Sequence, residues 1–577
     1  MRTAPLKSKT RAWLDRLIPP SKINWEIFLF SIIIFAAAFT RFYDLGARVM
    51  SHDESLHTYY SWLFFKTGNF QHSPMIHGPL QFHLLALTYN LFGDSDFTSR
   101  IPVAIASVTA VAFLWNFRRY LGRTGASITA SLFVISPFML FYGRYVRNEA
   151  FVALFGLVTF WVILRYLETG YTCYLYGITV ITALHFAAKE TAFIFTAQIL
   201  LFLGILFLSQ ILKQPWSKPK FRNIFNSLLL FVAILCFTAI ILPGQIIWAI
   251  AILALFIATG ILLSGFGLSK LRNNRSFGLI SLLFGLVLPH LVALPIHLAG
   301  WDPLNYFSLE NILRIAYALV PMFGLSGVFL MLWNPRRWWL HLLIFYSIFT
   351  LLFTSLFTYW PGFFTGLVGS LGYWLAQQGL RRGAQPFYYY FLVQIPVYEY
   401  LAAAGTILAA FLGLRLRSSR KSKPNNPKSL NIGAQQAAPG SSPFNDSPAS
   451  SNISPHLSLM LLGFWIITSL IAYTIAGEKM PWLTIHILLP MLMLTGWALG
   501  SLVDCLRQPN ANAKQILHIA TLLFFIFLAA LTLRASLTAA YINYDLATEY
   551  LVYAHSTADV KEIMTQIDSL SQAVTGG

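Results

Sequence analysis

The chain has 577 residues, of which 57% are hydrophobic and 11% charged, with a net charge of +19. Its mean hydropathy is +0.63. Soluble domains carry about a quarter of their residues as charged side chains, so this composition excludes a soluble globular protein.

Apolar runs of about 18 to 25 residues recur along the chain, each long enough to cross a hydrocarbon core about 30 Å thick as a helix. The alternating pattern of a membrane barrel is absent, and spanning backbone must satisfy its own hydrogen bonds. The expected fold is therefore an all-α polytopic membrane protein. Fifteen spans are predicted in chain order, near 25–44, 101–118, 125–143, 149–167, 174–188, 191–211, 224–242 and 245–264. The remainder lie near 277–295, 311–333, 338–356, 391–414, 457–476, 481–503 and 515–537. The first run is too long for a cleaved signal and no small-residue cleavage site follows it.

With the N-terminus cytoplasmic, 27 of the 40 Lys and Arg fall in inside segments and 16 of the 21 Asp and Glu fall outside. That asymmetry is the positive-inside pattern. It gives the basic surplus a role in orientation and anionic-lipid contact, and it removes the case for a nucleic-acid partner. The expected location is the cell membrane, with the active site extracytoplasmic. Cys173, Cys236 and Cys505 lie in or beside spans without metal-ligand spacing and are read as packing residues.

Two outer loops hold most of the extramembrane mass. In the first, 45–100, the stretches 53–66 and 80–93 carry apolar residues at helical spacing but are too short to span. They suit helices lying in the membrane interface, separated by Gly68, Pro74, Gly78 and Pro79. The second, 357–390, is rich in Gly, aromatics and Gln. An inside segment, 415–456, has a basic start and a Pro/Ser/Asn/Gly-rich remainder, the composition of a disordered linker. There is no internal repeat.

The first loop opens with SHDESLH (51–57). On a helix His57 lies three or four residues from Glu54 and Asp53, close enough for an imidazole–carboxylate contact. A carboxylate near low-dielectric surroundings suits a general base. The competing reading is that Asp53 and Glu54 merely cap the helix N-terminus. Other outer helix ends shift the balance: YGRYVRNEA supplies Arg144, Arg147 and Glu149, and HFAAKETAF supplies His185, Lys189 and Glu190. Arg381 and Arg382 occur in the later loop, and Lys479 and Glu478 in AGEKMPW. Charges at span ends are costly and usually face a protein-lined cavity. An outer pocket bearing both signs fits an anionic ligand that is half lipid and half polar, such as a polyisoprenyl-phosphate-linked sugar. No glycine-rich loop for a nucleotide-sugar occurs. The carboxylates and His57 could hold a divalent cation, though no spacing compels one.

The order of first span, Asp53-Glu54, HGPL (77–80) and Arg100-Ile101-Pro102 resembles the GT-C glycosyltransferases. It is closest in kind to the protein O-mannosyltransferase and aminoarabinose transferase families, which are glycosyltransferase family 39-like. The resemblance spans roughly residues 25–210, with HGPL standing where a double proline is more usual. It implies a GT-C-like helical bundle of about 13 to 15 membrane helices, with a catalytic carboxylate at Asp53 and a second acidic residue near Glu149. It also implies lipid-phosphate contact from nearby basic residues. Farther on, GSLGYWLAQQGLRRGAQPFYYYFLVQIPVYEY and GEKMPWLTIHILLP look like a narrower set of prokaryotic membrane proteins associated with flippase activity.

The expected organisation is a cytoplasmic basic arm (1–24), a catalytic membrane module (25–211), a second membrane module (212–414), the linker (415–456), C-terminal membrane helices (457–537) and an extracytoplasmic tail (538–577). The expected activity is inverting transfer of a sugar to a glycan, lipid or protein acceptor. Asp53 is the base, and Glu54 or Glu149 the supporting acid or metal ligand. His57, His77, Arg144, Arg147, Lys189, Glu190, Arg381, Arg382 and Lys479 are the candidate substrate contacts. A lipid-oligosaccharide translocation factor using the same outer charges is the alternative. An ion-coupled transporter ranks last, because the charges sit at span ends instead of the midplane.

Overall fold

The computed structural model describes residues 24–576 except 242–244, 307, 378–384, 422–455 and 508–512. The N-terminal basic arm to residue 23 and most of the expected linker lie outside the described residues, as do Arg381 and Arg382. The described chain is helical throughout, without strands.

Among the described residues, ten helices are long and apolar enough to cross a membrane, and an eleventh candidate is a bent pair, Tyr389–Tyr398 and Tyr400–Arg415, angled at 107°. At three further predicted spans the described helices, Thr172–Ala188, Ile250–Gly265 and Trp338–Phe353, are apolar but shorter than a crossing, so the candidate spans are fewer than the fifteen expected. The predicted span 125–143 is two helices, Arg123–Ile135 and Pro137–Tyr142. Pro137 has no N–H to continue the first helix, and the Ser136 hydroxyl caps the second by accepting from Met139 N. This break is served by a buried carboxylate that sits at the 107° bend. Glu399, between the bent helices, accepts from the Ser136 hydroxyl at 2.5 Å and from the Phe138 amide at 3.2 Å. The broken backbone thereby finds partners inside the bundle, as lipid surroundings require.

The centre of the bundle is the segment Pro481–Leu506, 94% buried. Lipid tails are as apolar as leucine, so membrane helices associate by close packing, often through small residues. The helices Arg123–Ile135 and Thr484–Leu506 meet at Gly125, Gly496 and Gly500; a Cβ on Gly500 would lie 2.5 Å from Gly125 Cα. At the other extreme, Trp25–Phe42 and Gln515–Ile542 are 17% and 11% buried, and their apolar side chains face outward as lipid-facing helices do.

The two expected loop helices are present as His52–Thr67 and Leu80–Phe92. Ser51 and Glu54 form a reciprocal capping box at the start of the first, and Gly68 ends it in the left-handed region at φ 69°. The tail does not stand apart from the bundle. Residues 543–558 fold back over the end where the loop helices lie: His52 N bonds Ala554 O at 3.0 Å, and the Tyr142 hydroxyl donates to Leu551 O at 2.8 Å. A last helix, Asp559–Thr575, follows.

Candidate functional site

The two acidic residues of the opening heptapeptide are adjacent in sequence and separate in space. One helical step turns successive side chains by about 100°. Glu54 accordingly points inward and is fully buried, whereas Asp53 lines a cavity of about 470 Å³.

Glu54 accepts from Arg48 and Arg100 at 3.0 Å each on Oε1, and from Arg100 at 3.1 Å on Oε2. The amides of Val146 (2.9 Å) and Ser51 (3.2 Å) complete its shell. Arg100 in turn donates to the carbonyls of Leu45 and Arg48. Burial alone would raise the Glu54 pKa, but Arg100 and Arg48 outweigh it and hold the carboxyl well below the usual range. The cluster joins residues 45–51, the helix starting at Asp96 and the loop 143–148. It does not line the cavity, so the structure gives Glu54 a bracing position.

Arg147, in the loop before the helix Glu149–Thr169, is the hub of the other set. It pairs with Asp53, approaches Glu149 at 3.5 Å and donates to His77 Nε2 at 3.2 Å. Its guanidinium lies 3.8 Å from the ring centroid of Trp482, a cation–π distance. Glu149, fully buried at its helix N-terminus, also pairs with Lys189; that end of a helix favours a negative charge. An arginine can only donate, so His77 Nε2 accepts and Nδ1 carries the proton that it donates to Glu190 Oε2 at 2.8 Å. Burial tends to raise the Glu190 pKa, and His77 beside it reverses the effect and lowers it.

The HGPL stretch places His77 in this network. His77 adopts φ 69°, a conformation uncommon outside glycine, and its carbonyl accepts from His72 Nε2 at 2.9 Å. Gly78 N donates to Ala188 O at 3.3 Å. A Cβ there would overlap the Ala187 carbonyl and lie 2.9 Å from the Ala188 carbonyl carbon. Gly78→Ala should therefore lift the turn off the end of Thr172–Ala188 and break the His77–Glu190 contact. The expected result is a loss of stability of about 1–3 kcal/mol, read as a drop in melting temperature of the detergent-solubilised protein.

His57 does not contact a carboxylate side chain as the spacing suggested. Its Nδ1 bonds the Asp53 carbonyl one turn back at 2.7 Å, and its ring stacks on Phe82 at 5.3 Å. Burial, assisted by Arg147, pushes its pKa down to about 3, and burial pushes that of His72 down to about 4. In the unfolded chain both would titrate near pH 6.5. Between about pH 6.5 and 4 the unfolded state binds more protons than the folded one, so stability falls as pH falls, by about 1.4 kcal/mol per unit per histidine. Thermal melting from about pH 7 to about pH 5 should show that decline, which a pH-independent melting temperature would contradict.

The other predicted contacts divide. Arg144 turns away from the cavity and donates to the carbonyls of Thr40 (2.8 Å), Tyr43 (2.6 Å) and Asp44 (3.1 Å), tying the end of the first span to the Arg147 loop. Lys479 bonds Ala476 O at 2.9 Å and does not line the cavity, whereas its neighbour Glu478 does. The sequence reading gave no role to Trp482, Tyr60, Trp374 or Tyr553, all of which line it. Trp482 was legible only as part of AGEKMPW. Tyr553 enters through the returning tail, for which the sequence carries no signal.

The lining thus sets three carboxylates (Asp53, Glu190 and Glu478) and several aromatic rings around the Arg147 guanidinium. Among the described residues no cluster of three or more His, Cys, Asp or Glu has the geometry to hold a metal ion. Asp53 and Glu149 face a shared arginine, which does not fit a resident divalent cation.

Residues 76–242 match the family model for dolichyl-phosphate-mannose-protein mannosyltransferase. That segment contains HGPL, Arg147, Glu149, Lys189 and Glu190, and begins beyond Asp53. Among solved structures, the chain is similar to the apo oligosaccharyltransferase of Archaeoglobus fulgidus at 14% identity and TM-score 0.46, over 95% of this chain and 59% of that one. It is also similar to AglB of the same organism in complex with an inhibitory peptide and a dolichol-phosphate, at 14% identity and TM-score 0.47, over 95% and 58%. ArnT from Cupriavidus metallidurans bound to undecaprenyl phosphate gives 14% identity and TM-score 0.29, over 84% and 80%. The chain spans about three-fifths of the length of the archaeal enzymes. No curated protein matches it. The resemblance to family 39-like glycosyltransferases is borne out over the matched segment; the narrower flippase-associated grouping rests on sequence resemblance alone.

Proposed function

We propose that this multi-pass membrane protein is a glycosyltransferase that takes a sugar from a polyisoprenyl-phosphate donor, on the extracytoplasmic face, and passes it to an acceptor hydroxyl. One observation carries the reading: the Asp53 carboxylate lines a roomy cavity beside an arginine, amid aromatic rings and two further carboxylates. Aromatic faces pack against the C–H faces of sugars, and carboxylates accept from sugar hydroxyls; together they suit a carbohydrate better than an apolar ligand.

The chemistry is a single displacement. The acceptor oxygen forms a bond to the anomeric carbon while the bond from that carbon to the phosphate oxygen breaks. The acceptor proton passes to Asp53, and polyisoprenyl phosphate leaves with the electron pair. Arg147 is placed to stabilise the leaving phosphate, with Lys189 behind it neutralising Glu149. Glu190 orients His77, and His77 helps fix the Arg147 guanidinium. Attack opposite the departing phosphate inverts the anomeric centre.

The expected orientation puts this end of the bundle outside, since the cations concentrate on the opposite side. The test uses the full chain in nanodiscs with a radiolabelled polyprenyl-phosphate sugar and a cell-envelope extract as acceptor source. Release of polyprenyl phosphate coupled to a labelled sugar adduct supports the reading. Movement of intact donor between leaflets without cleavage would overturn it in favour of lipid translocation.

A further inference from the structure

A second cavity, of about 540 Å³, lies at the opposite end of the bundle from Asp53. Four spans end there. Leu167 lies near the close of Glu149–Thr169, and Leu206 and Gln210 near that of Thr191–Ile211. Arg275 and Ser276 open the span Arg275–Leu298, and Leu457 opens Leu457–Ile475. At about 1.5 Å per helical residue, Leu167 sits about 27 Å along its helix from Glu149. The cavity is therefore at headgroup depth on the far side of the membrane from Asp53. The two chain segments beside it, 212–222 and 270–275, carry four and three Lys or Arg and no Asp or Glu.

Its polar lining is oriented by a chain of hydrogen bonds. The Phe277 amide donates to Asn274 Oδ1 at 3.0 Å, which fixes that side chain's orientation. Asn274 Nδ2 then donates to Gln210 Oε1 at 3.0 Å, and the buried Ser276 hydroxyl donates to the same oxygen at 3.1 Å. With its oxygen held by two donors, Gln210 leaves its N–H₂ group for the cavity that it lines, and that group meets no acceptor among the described residues. Lys270, also in the lining, has the Pro215 carbonyl at 3.2 Å and no ion pair among the described residues. Arg275 donates to Leu167 O and Glu168 O at 2.8 Å each, while the Glu168 carboxylate is turned to Arg119 and Arg165. Among the described residues no carboxylate lines the cavity, and its apolar part is Leu167, Leu206 and Leu457.

We propose that this cavity holds the phosphate of an anionic phospholipid. A phosphodiester only accepts hydrogen bonds, and the Gln210 amide N–H₂ and the Lys270 ammonium only donate them. The unopposed cations of the two flanking segments select a headgroup of net negative charge over a zwitterionic one. Anionic lipid is what the cytoplasmic leaflet presents, and the positive-inside pattern assigns this end of the bundle to that leaflet. The three leucines suit the glycerol esters and upper acyl carbons, from which a soluble phosphate would gain nothing. Bound there, the phosphate joins Lys270 to Gln210, which belong to different helices.

The test uses the full chain in phosphatidylcholine nanodiscs holding a trace of phosphatidylglycerol with a diazirine close to its headgroup. Label recovered on residues 206–214 and 268–276 after illumination is the readout. Phosphatidylglycerol should label these segments roughly tenfold more than the matching phosphatidylcholine probe, as a charge-assisted contact requires. Gln210→Glu keeps an oxygen for Asn274 and Ser276 and puts a second one where the N–H₂ group was, so the fold is kept and labelling should fall roughly tenfold. Lys270→Ala should lower it by a similar factor, whereas Lys220→Ala, an exposed cation outside the lining, should leave it unchanged. Equal labelling by the two lipids, indifference to Q210E, or a K220A effect as large as that of K270A would overturn the proposal, the last by showing a diffuse surface attraction. Displacement of the label by excess inorganic phosphate would overturn it in favour of a soluble phosphate. Labelling at this end is read without any sugar transfer, so its outcome and that of the transfer assay stand apart.

Discussion

Asn in place of Asp53 is expected to slow sugar transfer by roughly 10²–10⁴-fold, the range for losing a positioned general base. The amide keeps nearly the same volume and still offers an oxygen to Arg147, but it cannot take up the acceptor proton. Arg147 does not collapse with the substitution, because Glu149, His77 and Trp482 remain around it. The melting temperature should therefore move by only a few degrees, in keeping with a loss of about 1–3 kcal/mol for a weakened charged hydrogen bond. The decisive comparison is between kcat and donor KM in proteoliposomes. A fall in kcat with little change in KM identifies a group that acts in the transition state. Unchanged turnover in D53N would remove Asp53 from the chemistry and leave the Asp53–Arg147 pair as a structural tie.

That two neighbouring acids differ so sharply was only half legible in the sequence. Apolar runs announced the helices because length and hydropathy are local properties. The acidic pair Asp53-Glu54 likewise announced a helix start, as negative charge favoured at a helix N-terminus. What the chain could not announce were partners brought together by folding. Glu54 meets Arg100 across 46 residues, and nothing in either segment names the other. The Arg100-Ile101-Pro102 motif was visible as a motif without its physical meaning, which is to clamp the first loop through Glu54. Arg144 and Arg147 looked equivalent in YGRYVRN, yet an irregular turn sends one to backbone carbonyls and the other to the cavity. Helix periodicity cannot resolve that difference. Spans broken at Pro137 and Glu399 read as continuous because their apolar character continues across the break. The return of the tail over the site was invisible, since its contacts are mostly backbone hydrogen bonds and aromatic packing with distant partners.

Glu54→Ala should do what D53N does not and unfold the loop end of the protein. Removal of this carboxylate strands two guanidiniums, Arg48 at 7% and Arg100 at 1% side-chain exposure. Breaking a buried ion pair from one side typically costs about 3–5 kcal/mol. Here the cost falls on a brace that also holds the Val146 amide, one residue from Arg147, so activity and stability should fall together. The expected readout is a melting temperature lowered by several degrees or more, with a large loss of monodisperse protein after detergent extraction. Glu54→Gln should recover only part of it, because an amide gives one acceptor oxygen and turns its N–H groups towards a guanidinium. The pH dependence separates the two acids further. With its folded pKa held far below the unfolded value near 4.3, Glu54 contributes stability that is full above about pH 5 and is lost only under strong acid. A mild acid shift, which loads the unfolded chain's histidines, should therefore leave the Glu54 brace intact. An E54A protein that melts like wild type would show that Arg48 and Arg100 find other partners, and would remove the structural assignment from Glu54.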